Sequence, residues 1–448
     1  MKDQKKMWSV FSLKHVLVVS LALNVGLIFR VLYEGEKNLS GFCLENKEAF
    51  MAEADAHVSK NTSLVTSTAA TPTEVRDGVI DLGHGDPTMY ERFWKRTGDK
   101  TTVVISGWQS ISYFSDVGNI CWFLEPEFAN VVVRLHRLVG NAVTEDRHVV
   151  VGTGSSQLFL AVLYALSPPN ASEPMDVVSA APFYSSYPLM TDFLKSGLYK
   201  WAGDAHKYGE DRPYIELVTS PNNPDGLIRQ AVVNRSEGIL VHDLAYYWPQ
   251  YAPISSPADQ DIMLFTVSKT TGHAGSRIGW ALVKDEDIAK KMTKFIELNT
   301  IGVSKDSQLR AAKILQAVAD SYDNVGCNSE ESETFFDYGY NVMKKRWKQL
   351  REAVNKSSLF SLPDFPLGTC TFSGRTFKSQ PAFAWLKCEG EIEDCENFLQ
   401  SHKVVSRGGK HFGDSTKYVR ICTLSRDETF NLFIERLSTI KTRNSYTN

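Results

Sequence analysis

Polar residues of four types follow apolar stretches of strand length in this sequence. Lys269 ends the run IMLFTVS, and Arg277 lies eight residues further on in a glycine-containing segment. Asp243 ends GILVH, and Asn223 lies in SPNNPDG, which follows YIELVT. A lysine amine can form an imine or move a proton, and an arginine can bind phosphate or carboxylate. Each residue alone also has an ordinary explanation, namely a solvated strand end, a surface ion pair, a helix cap and a turn.

The stretch Gly152–Gln157 (GTGSSQ) joins a predicted strand to a predicted helix. Free N–H groups and hydroxyls at such a helix start can bind a phosphate, and the same stretch also suits an ordinary tight turn. A dinucleotide fingerprint would need a third glycine where Gln157 stands, and the nearest downstream acid, Glu173, lies in a Pro-rich loop. Neither serine is bracketed by glycines in G-x-S-x-G, so the pattern of a nucleophile elbow is absent.

Strand-like segments that end in polar or turn-forming clusters alternate with helical periods from about Val79 onward. These segments are HVVVG, MDVVSAAPFY, YIELVTSPNNPDG, GILVHDLAYY and IMLFTVSK. The alternation predicts an α/β fold with a mostly parallel sheet. Ligands of open parallel sheets bind at the carboxyl ends of the strands, so the polar clusters should meet at one edge.

Together the clusters suit one kind of ligand. They supply an anion-binding helix start, an aromatic pair (Phe183, Tyr184), an amide, a carboxylate with a tyrosine three residues later (Asp243, Tyr246), and a lysine followed by an arginine. This set matches a phosphorylated aromatic aldehyde that contains a pyridine nitrogen.

Several long motifs resemble those of the plant alliinase and tryptophan aminotransferase-related group: GHGDPTMYERFW, SYFSD, NICWFLEP, SPNNPDG, HDLAYYWP and SKTTGHAGSRIGWALVKD. The group belongs to the fold-type I pyridoxal-phosphate enzymes of the aminotransferase class, and the resemblance covers nearly everything after Val79. It implies a large domain with a seven-stranded-type sheet, a pyridoxal 5′-phosphate cofactor, amino acid and 2-oxo acid substrates, and a homodimer. No metal site is expected. Alliinases carry a cysteine-rich module ahead of the catalytic body, whereas Cys43 stands alone there.

The resemblance implies that Lys269 forms the Schiff base with the cofactor aldehyde and then acts as the base that moves the Cα proton. Burial and a nearby cation such as Arg277 should depress the lysine pKa, and Arg277 should grip the phosphate. The other residues expected on this side of the cofactor are Tyr113, Gly154, Ser155, Ser156 and Ser268. Tyr113 is expected to reach across from the partner subunit.

The resemblance also assigns residues to the ring. Asp243 should face the pyridine nitrogen and keep it protonated. Asn223 and Tyr246 should bond the ring hydroxyl oxygen. Tyr184 should stack on the ring face, whereas Phe183 is expected in the core.

Arg420 lies in the middle of the short predicted strand KYVRICTLS. Related aminotransferases place an arginine there for the substrate α-carboxylate, which a guanidinium binds in a bidentate way. The alternative is a surface arginine on an edge strand.

The resemblance favours an L-tryptophan:2-oxo acid (pyruvate) aminotransferase that produces indole-3-pyruvate, the step ahead of the auxin indole-3-acetic acid. An alliin-type C–S lyase acting on S-alkyl-L-cysteine sulfoxides begins with the same removal of the Cα proton. The two reactions separate afterwards, at side-chain pocket details that a single sequence does not reveal. A membrane-tethered, non-catalytic binding protein on the same fold is a third alternative.

The chain has 448 residues, 43% hydrophobic and 11% aromatic, with a formal net charge of −3. This length suffices for two packed domains, and without a basic stripe with interleaved aromatics no nucleic-acid partner is predicted. The seven cysteines are odd in number and lack C-x-x-C spacing, which argues against zinc and against a disulfide framework. Cys388 and Cys395 can pair in an oxidising compartment.

An apolar run, Val16–Phe29, follows several lysines and precedes Arg30. With Val31 and Leu32 it reaches the length of a span, which predicts an uncleaved anchor; a cleaved signal peptide and an amphipathic surface helix are alternatives. The preceding lysines favour a cytoplasmic N-terminus and therefore a lumenal body at the endoplasmic reticulum membrane. Sequons compatible with this topology stand at Asn38, Asn61, Asn170, Asn234 and Asn355.

These features predict the domain organisation. The predicted segments are a basic N-terminus (1–15), the anchor (16–32), a linker (33–78), an N-terminal arm (79–99), a large cofactor-binding domain (100–320) and a small α+β domain (321–448). A helix is predicted over Phe335–Lys356, with its aromatic stripe in the core. The active site should lie between the two domains at a dimer interface.

Overall fold

The computed structural model describes residues 78–233, 235–323 and 333–440. The α-helices in these ranges are α1 (Glu91–Thr97), α2 (Pro126–Val139), α3 (Gly154–Leu166), α4 (Tyr187–Phe193), α5 (Val267–Thr270), α6 (Glu286–Thr300), α7 (Lys305–Asp323), α8 (Phe335–Ser357), α9 (Cys395–Ser401) and α10 (Asp427–Thr439). The strands are β1 (Ile80–Asp81), β2 (His148–Gly152), β3 (Met175–Ser179), β4 (Tyr199–Asp204), β5 (Tyr214–Thr219), β6 (Gly238–Asp243), β7 (Ile262–Thr266), β8 (Gly279–Val283), β9 (Phe360–Ser361), β10 (Leu367–Thr369), β11 (Thr376–Lys378), β12 (Phe383–Cys388), β13 (Val404–Val405), β14 (Arg407–Gly408) and β15 (Tyr418–Cys422).

A seven-stranded sheet with the order β2-β8-β7-β6-β5-β3-β4 forms the larger layer. β8 is antiparallel to both of its neighbours, and the other adjacent strands are parallel. The predicted mostly parallel sheet is therefore confirmed. Since β2 and β7 both oppose β8, β2 ends at the same edge as β3, β5, β6 and β7, and this edge collects the polar clusters.

The central strands are apolar because helices and loops cover the sheet. Every residue of β3, β5, β7 and β8 is buried. This burial explains why none of these segments alternates between apolar and polar residues along its length. β3 and β5 each include one buried acidic residue, Asp176 and Glu216. Helix α3 packs against α6 and β8. Its start therefore stays at the carboxyl edge of β2.

A smaller four-stranded sheet has the order β14-β15-β12-β9, and its paired strands are antiparallel. Helix α8 matches the predicted helix within one residue at its end, and its aromatic residues Phe335, Phe336 and Trp347 are buried as predicted. Arg346 of α8 donates to the carbonyls of Thr423 and Ser425, at 2.6 and 2.7 Å, so the helix is tied to the segment after β15.

Cys388 and Cys395 form a disulfide, the pairing that the sequence allows in an oxidising compartment. The bond joins the end of β12 to the start of α9, seven residues later. It therefore closes a short loop in the smaller layer.

Among the described residues, no helix combines the length and the apolar character that a membrane crossing requires. The predicted anchor (16–32) and nearly all of the predicted linker lie outside the described residues, so both stay predictions.

Candidate active site

Lys269 lies on the one-turn helix α5, directly after β7. The turn is set by Thr266, whose Oγ1 accepts a hydrogen bond from the Ser268 amide at 3.2 Å. Lys269 Nζ donates to the carbonyl oxygen of Gly85 at 2.6 Å. Burial lowers the pKa of the amine to about 8, and the charges of Arg420 and Arg277 act in the same direction. Such an amine is partly neutral near physiological pH, as a nucleophile or base must be.

Four of the residues predicted for the phosphate meet at the start of α3, namely Gly154, Ser155, Ser156 and Arg277. Gly154 has φ +71°, and a Cβ built on it would lie 2.5 Å from Nη2 of Arg277. A Cβ on Gly279 would lie 2.7 Å from the amide nitrogen of Ser155. The absence of side chains at these two glycines brings a guanidinium and a helix N-terminus together, and both attract a phosphate dianion.

Ser156 and Arg277 are exposed at this helix start, whereas Ser155 is half-buried. Arg277 has φ 53° and donates from Nη1 to the Ala274 carbonyl at 3.0 Å. Ser268 is buried and accepts a hydrogen bond at Oγ from Thr266 Oγ1 at 3.1 Å. The cradle is thus built from three segments, the β2–α3 turn, α5 and the loop before β8.

Asp243 ends β6, and two donors hold its carboxylate. The Tyr187 hydroxyl donates to Oδ2 at 2.9 Å, and the Ala245 amide donates to Oδ1 at 3.1 Å. Burial raises the pKa of the Asp243 carboxyl despite these donors. A protonated ring nitrogen beside the Asp243 carboxyl would lower its pKa again, because the positive charge stabilises the ionised carboxylate.

Tyr187 was not predicted from the sequence. Its hydroxyl lies 2.7 Å from Thr219 Oγ1 at the end of β5, so Tyr187 bridges the carboxyl ends of β5 and β6. Its ring meets Tyr184 edge-on, with 5.3 Å between centroids. Tyr184 precedes the helix that Tyr187 begins, so their three-residue spacing is not a helical i,i+3 pair and gave no signal in the sequence.

Tyr246 is buried, and its ring meets Phe383 edge-on at 5.7 Å. Burial raises the pKa of its hydroxyl well above the usual range, so the group stays protonated and can donate a hydrogen bond. Phe183 is buried as expected, with its ring edge-on to Trp201 at 4.9 Å.

Arg420 is 5% exposed on β15, which lies between β14 and β12. The edge-strand alternative is therefore wrong. Nη1 donates to Asn223 Oδ1 at 3.1 Å and Nη2 to the Gly83 carbonyl at 2.7 Å. The guanidinium carbon lies 4.2 Å from the centroid of the Phe383 ring. Arg420 and Asn223 are thus joined by a hydrogen bond inside the site, a contact that the sequence does not indicate.

Tyr113 and Gly85 depart from the sequence prediction in opposite ways. Tyr113 is 69% exposed, so a single chain does not enclose it in the site. Gly85, by contrast, was not predicted as a site residue, although a Cβ on it would lie 2.9 Å from Phe383 Cζ and 3.4 Å from Lys269 Nζ. Its glycine leaves room beside the lysine amine.

The described residues fit pyridoxal 5′-phosphate. Lys269 would supply an amine for the aldehyde, Asp243 a carboxylate for the pyridine nitrogen, and Tyr246 a hydroxyl for the ring oxygen. Arg277 and the open backbone at Gly154 would hold its phosphate. The anionic, cationic and donor groups of the site therefore correspond to those of one cofactor.

Comparison with known proteins agrees with the geometry. The family described as Allinase matches residues 80–441. "Tryptophan aminotransferase-related protein 2" of Arabidopsis thaliana is 54% identical over 431 residues, 95% of this chain and 97% of the relative. "Alliin lyase" of Allium cepa var. aggregatum is 36% identical over 361 residues, 78% of this chain and 79% of the relative.

The fold also matches solved structures. The aspartate aminotransferase of Rhizobium meliloti superimposes with a TM-score of 0.58 at 16% identity, covering 84% of this chain and 97% of the other. At this identity the likeness concerns the fold alone. Sequence and fold together identify the chain as a member of the Allinase family, built on the fold-type I architecture of pyridoxal-phosphate enzymes.

Proposed function

We propose that the protein is an L-tryptophan:2-oxo acid aminotransferase that uses pyruvate as acceptor and produces indole-3-pyruvate for auxin synthesis. The observation that carries this choice is the higher identity to a tryptophan aminotransferase-related relative, 54%, than to an alliin lyase, 36%. The site supports any reaction that begins by removing a Cα proton from an amino acid.

The chain's own residues supply binding and proton transfer. Arg420 binds the substrate α-carboxylate in a buried setting, where a charge-assisted hydrogen bond is strong. Lys269 accepts the Cα proton at Nζ, and the protonated amine is then the donor for the later return of that proton. When bound, pyridoxal 5′-phosphate supplies the electron sink for the negative charge at Cα. Asp243, held by Tyr187, keeps the ring nitrogen protonated.

Purified protein tests the proposal directly. L-tryptophan with pyruvate should give indole-3-pyruvate, and Lys269→Ala should abolish both this product and the visible absorbance of the lysine-bound cofactor. Release of pyruvate and ammonia from alliin, without indole-3-pyruvate from tryptophan, would instead assign the protein to the lyase branch. Failure of both reactions with a normal cofactor spectrum would favour the non-catalytic alternative.

The proposal includes a homodimer. Four large apolar side chains lie more than two-thirds exposed between residues 104 and 117, in the same segment as Tyr113: Val104 (88%), Trp108 (72%), Ile111 (80%) and Val117 (80%). Several exposed large apolar side chains within one short segment are typical of a protein interface. A partner that covers it would bring Tyr113 to a neighbouring phosphate cradle.

We also propose that the predicted anchor holds the protein in the endoplasmic reticulum membrane with the catalytic body lumenal. Endoglycosidase treatment of plant microsomes tests this topology, because a lumenal body exposes its sequons to glycosylation. A mobility shift is expected. An unchanged mobility would contradict the lumenal orientation.

A further inference from the structure

A second arginine, Arg407, lies beside Arg420 in the smaller sheet. Arg407 begins β14, and it is the register partner of Arg420 across the antiparallel pair with β15. Directly opposed residues of such a pair place their side chains on the same face, with Cβ atoms about 5 Å apart. Because Arg420 contacts Asn223 and Gly83 on that face, Arg407 also extends toward the active site.

A buried serine orients the Arg407 guanidinium. Nε donates to Ser185 Oγ at 3.1 Å, and Ser185 is 6% exposed. Ser185 directly follows Tyr184, the residue expected on the cofactor ring. The hydrogen bond therefore ties the smaller sheet to the loop after β3, at the rim of the site.

The terminal nitrogens of Arg407 are not used by the rest of the described chain. Within residues 78–233, 235–323 and 333–440, no carboxylate lies within ion-pair distance of Arg407, and Nε makes its one hydrogen bond. Arg420 likewise has a buried Nε without a partner among these residues. Two adjacent guanidinium groups thus keep N–H donors without an acceptor among the described residues.

Two cations side by side without an acid are unfavourable unless an anion joins them. Burial lowers the pKa of Arg420, and the charge of Arg407 lowers it further. Like charges directly opposite each other destabilise a sheet pair. A carboxylate between the two groups would relieve this repulsion and satisfy the remaining donors.

We propose that Arg407 is a second carboxylate-binding arginine of the active site, whose terminal nitrogens hold the substrate α-carboxylate together with Arg420. Ser185 is then a positioning residue, since it fixes Nε and turns the two terminal nitrogens toward the substrate. The role rests on the proposed function only in requiring an α-carboxylate. Tryptophan, pyruvate and alliin all carry one.

Arg407→Gln and Arg407→Lys test this role, with Lys410→Gln as the matched control. Lys410 lies three residues further along and is exposed. KM and kcat are measured for tryptophan, pyruvate and alliin, and the dissociation constant is measured for 3-indolepropionate, which cannot react. Arg407→Gln should raise the KM of each substrate that the wild type converts, and this dissociation constant, about tenfold or more. Arg407→Lys should retain part of the affinity, and the control should stay within about twofold of wild type.

The cofactor spectrum should stay unchanged in Arg407→Gln and the melting temperature should not fall, because the repulsion with Arg420 is removed; this separates a loss of binding from a loss of folding. Ser185→Ala keeps every charge and should raise the same KM values by a smaller factor, so it tests the role even if Arg407 variants fold poorly. Unchanged KM and dissociation constants in Arg407→Gln and Ser185→Ala would overturn the proposal. The KM for 2-oxoglutarate as acceptor is measured as well. A rise in this KM alone would also overturn the proposal, because Arg407 would then bind a side-chain carboxylate.

Different results would contradict the carboxylate-binding role of Arg407 and the proposed aminotransferase function. Wild-type protein that converts alliin and not tryptophan contradicts the aminotransferase proposal, and the KM for alliin then still reports on Arg407.

Discussion

At the scale of residues, Lys269 is the group whose surroundings matter most. Burial is the main cause of its low pKa, the charges of Arg420 and Arg277 add to it, and Cys422 and Asp86 oppose it. Packing around the amine, rather than a single charged neighbour, thus brings its pKa close to physiological pH. Its contact with the Gly85 carbonyl orients it without neutralising it.

The first prediction concerns stability of the cofactor-free protein. The Lys269 pKa falls from 10.5 to about 8 on folding, so between these pH values the unfolded chain binds more protons and stability rises with pH. Below pH 8 the charged amine costs at most about 3 kcal/mol. Lys269→Met should therefore raise the melting temperature at pH 7, and this gain should disappear near pH 10.5. Calorimetry at the two pH values measures it, and an equal gain at both would contradict it.

The second prediction concerns Tyr187. Removal of its hydroxyl takes one donor from the Asp243 carboxylate, whose pKa should then rise further. A hydrogen bond to a charged group is worth about 1.5 to 3 kcal/mol, so Tyr187→Phe should lower kcat about tenfold or more. Tyr164→Phe, on α3 beside Phe295, is the control. Equal kcat values for the two variants would show that Tyr187 is not needed to hold Asp243.

At the scale of elements, the site depends on the close approach of a helix start and a loop. Helix α3 begins at Gly154 directly after β2, and the loop before β8 carries Arg277 against it. The N-terminal end of a 13-residue helix supplies a partial positive charge, and the arginine a full one. These two positive charges together explain why a doubly charged phosphate suits the space between the start of α3 and Arg277.

The third prediction separates backbone strain from this close approach. Gly154 and Gly140 have nearly equal φ angles, +71° and +70°, but a Cβ on Gly140 meets nothing within 4 Å. Both alanine variants should lose about 1 kcal/mol of stability from the left-handed backbone. Only Gly154→Ala should also displace Arg277 and weaken cofactor binding, by about tenfold or more. Titration of the two cofactor-free variants with pyridoxal 5′-phosphate measures this affinity. Equal affinities would contradict a role in phosphate binding for the start of α3 and Arg277.

At the scale of the whole molecule, one described chain is folded around its own core, and the segment 104–117 stays largely outside it. Trp108, Ile111 and Tyr113 are all at least 69% exposed. Exposing this much apolar surface to water is unfavourable, and a second copy would cover it. Assembly and phosphate binding would then be linked through Tyr113.

The fourth prediction tests this link. Trp108→Glu combined with Ile111→Glu should reduce the mass in solution from a dimer to a monomer, because two charges would be buried without partners. Cofactor affinity should fall with it as Tyr113 is lost from the neighbouring site. Leu367→Glu is the control, since Leu367 is 68% exposed on β10, away from this segment. Light scattering measures the mass, and an unchanged mass would contradict the proposed interface.

Much of the architecture and the local motifs could be predicted because they depend on neighbours in sequence. Short, mainly apolar runs that end in polar clusters predicted the strands β3, β5 and β7, and helical periodicity predicted α8. Lys269 and Asp243 were predicted because each follows such a strand, and strands of a parallel sheet end together. The family resemblance then assigned the cofactor.

Only the tertiary structure decided which distant residues complete the site. The contacts of Lys269 with Gly85, Tyr187 with Asp243, and Arg407 with Ser185 join residues 184, 56 and 222 positions apart. No local pattern indicates them, because they follow from strand order, register and the meeting of two sheets. The low pKa of Lys269 has the same origin, since burial belongs to the packed chain and not to the segment that contains the lysine.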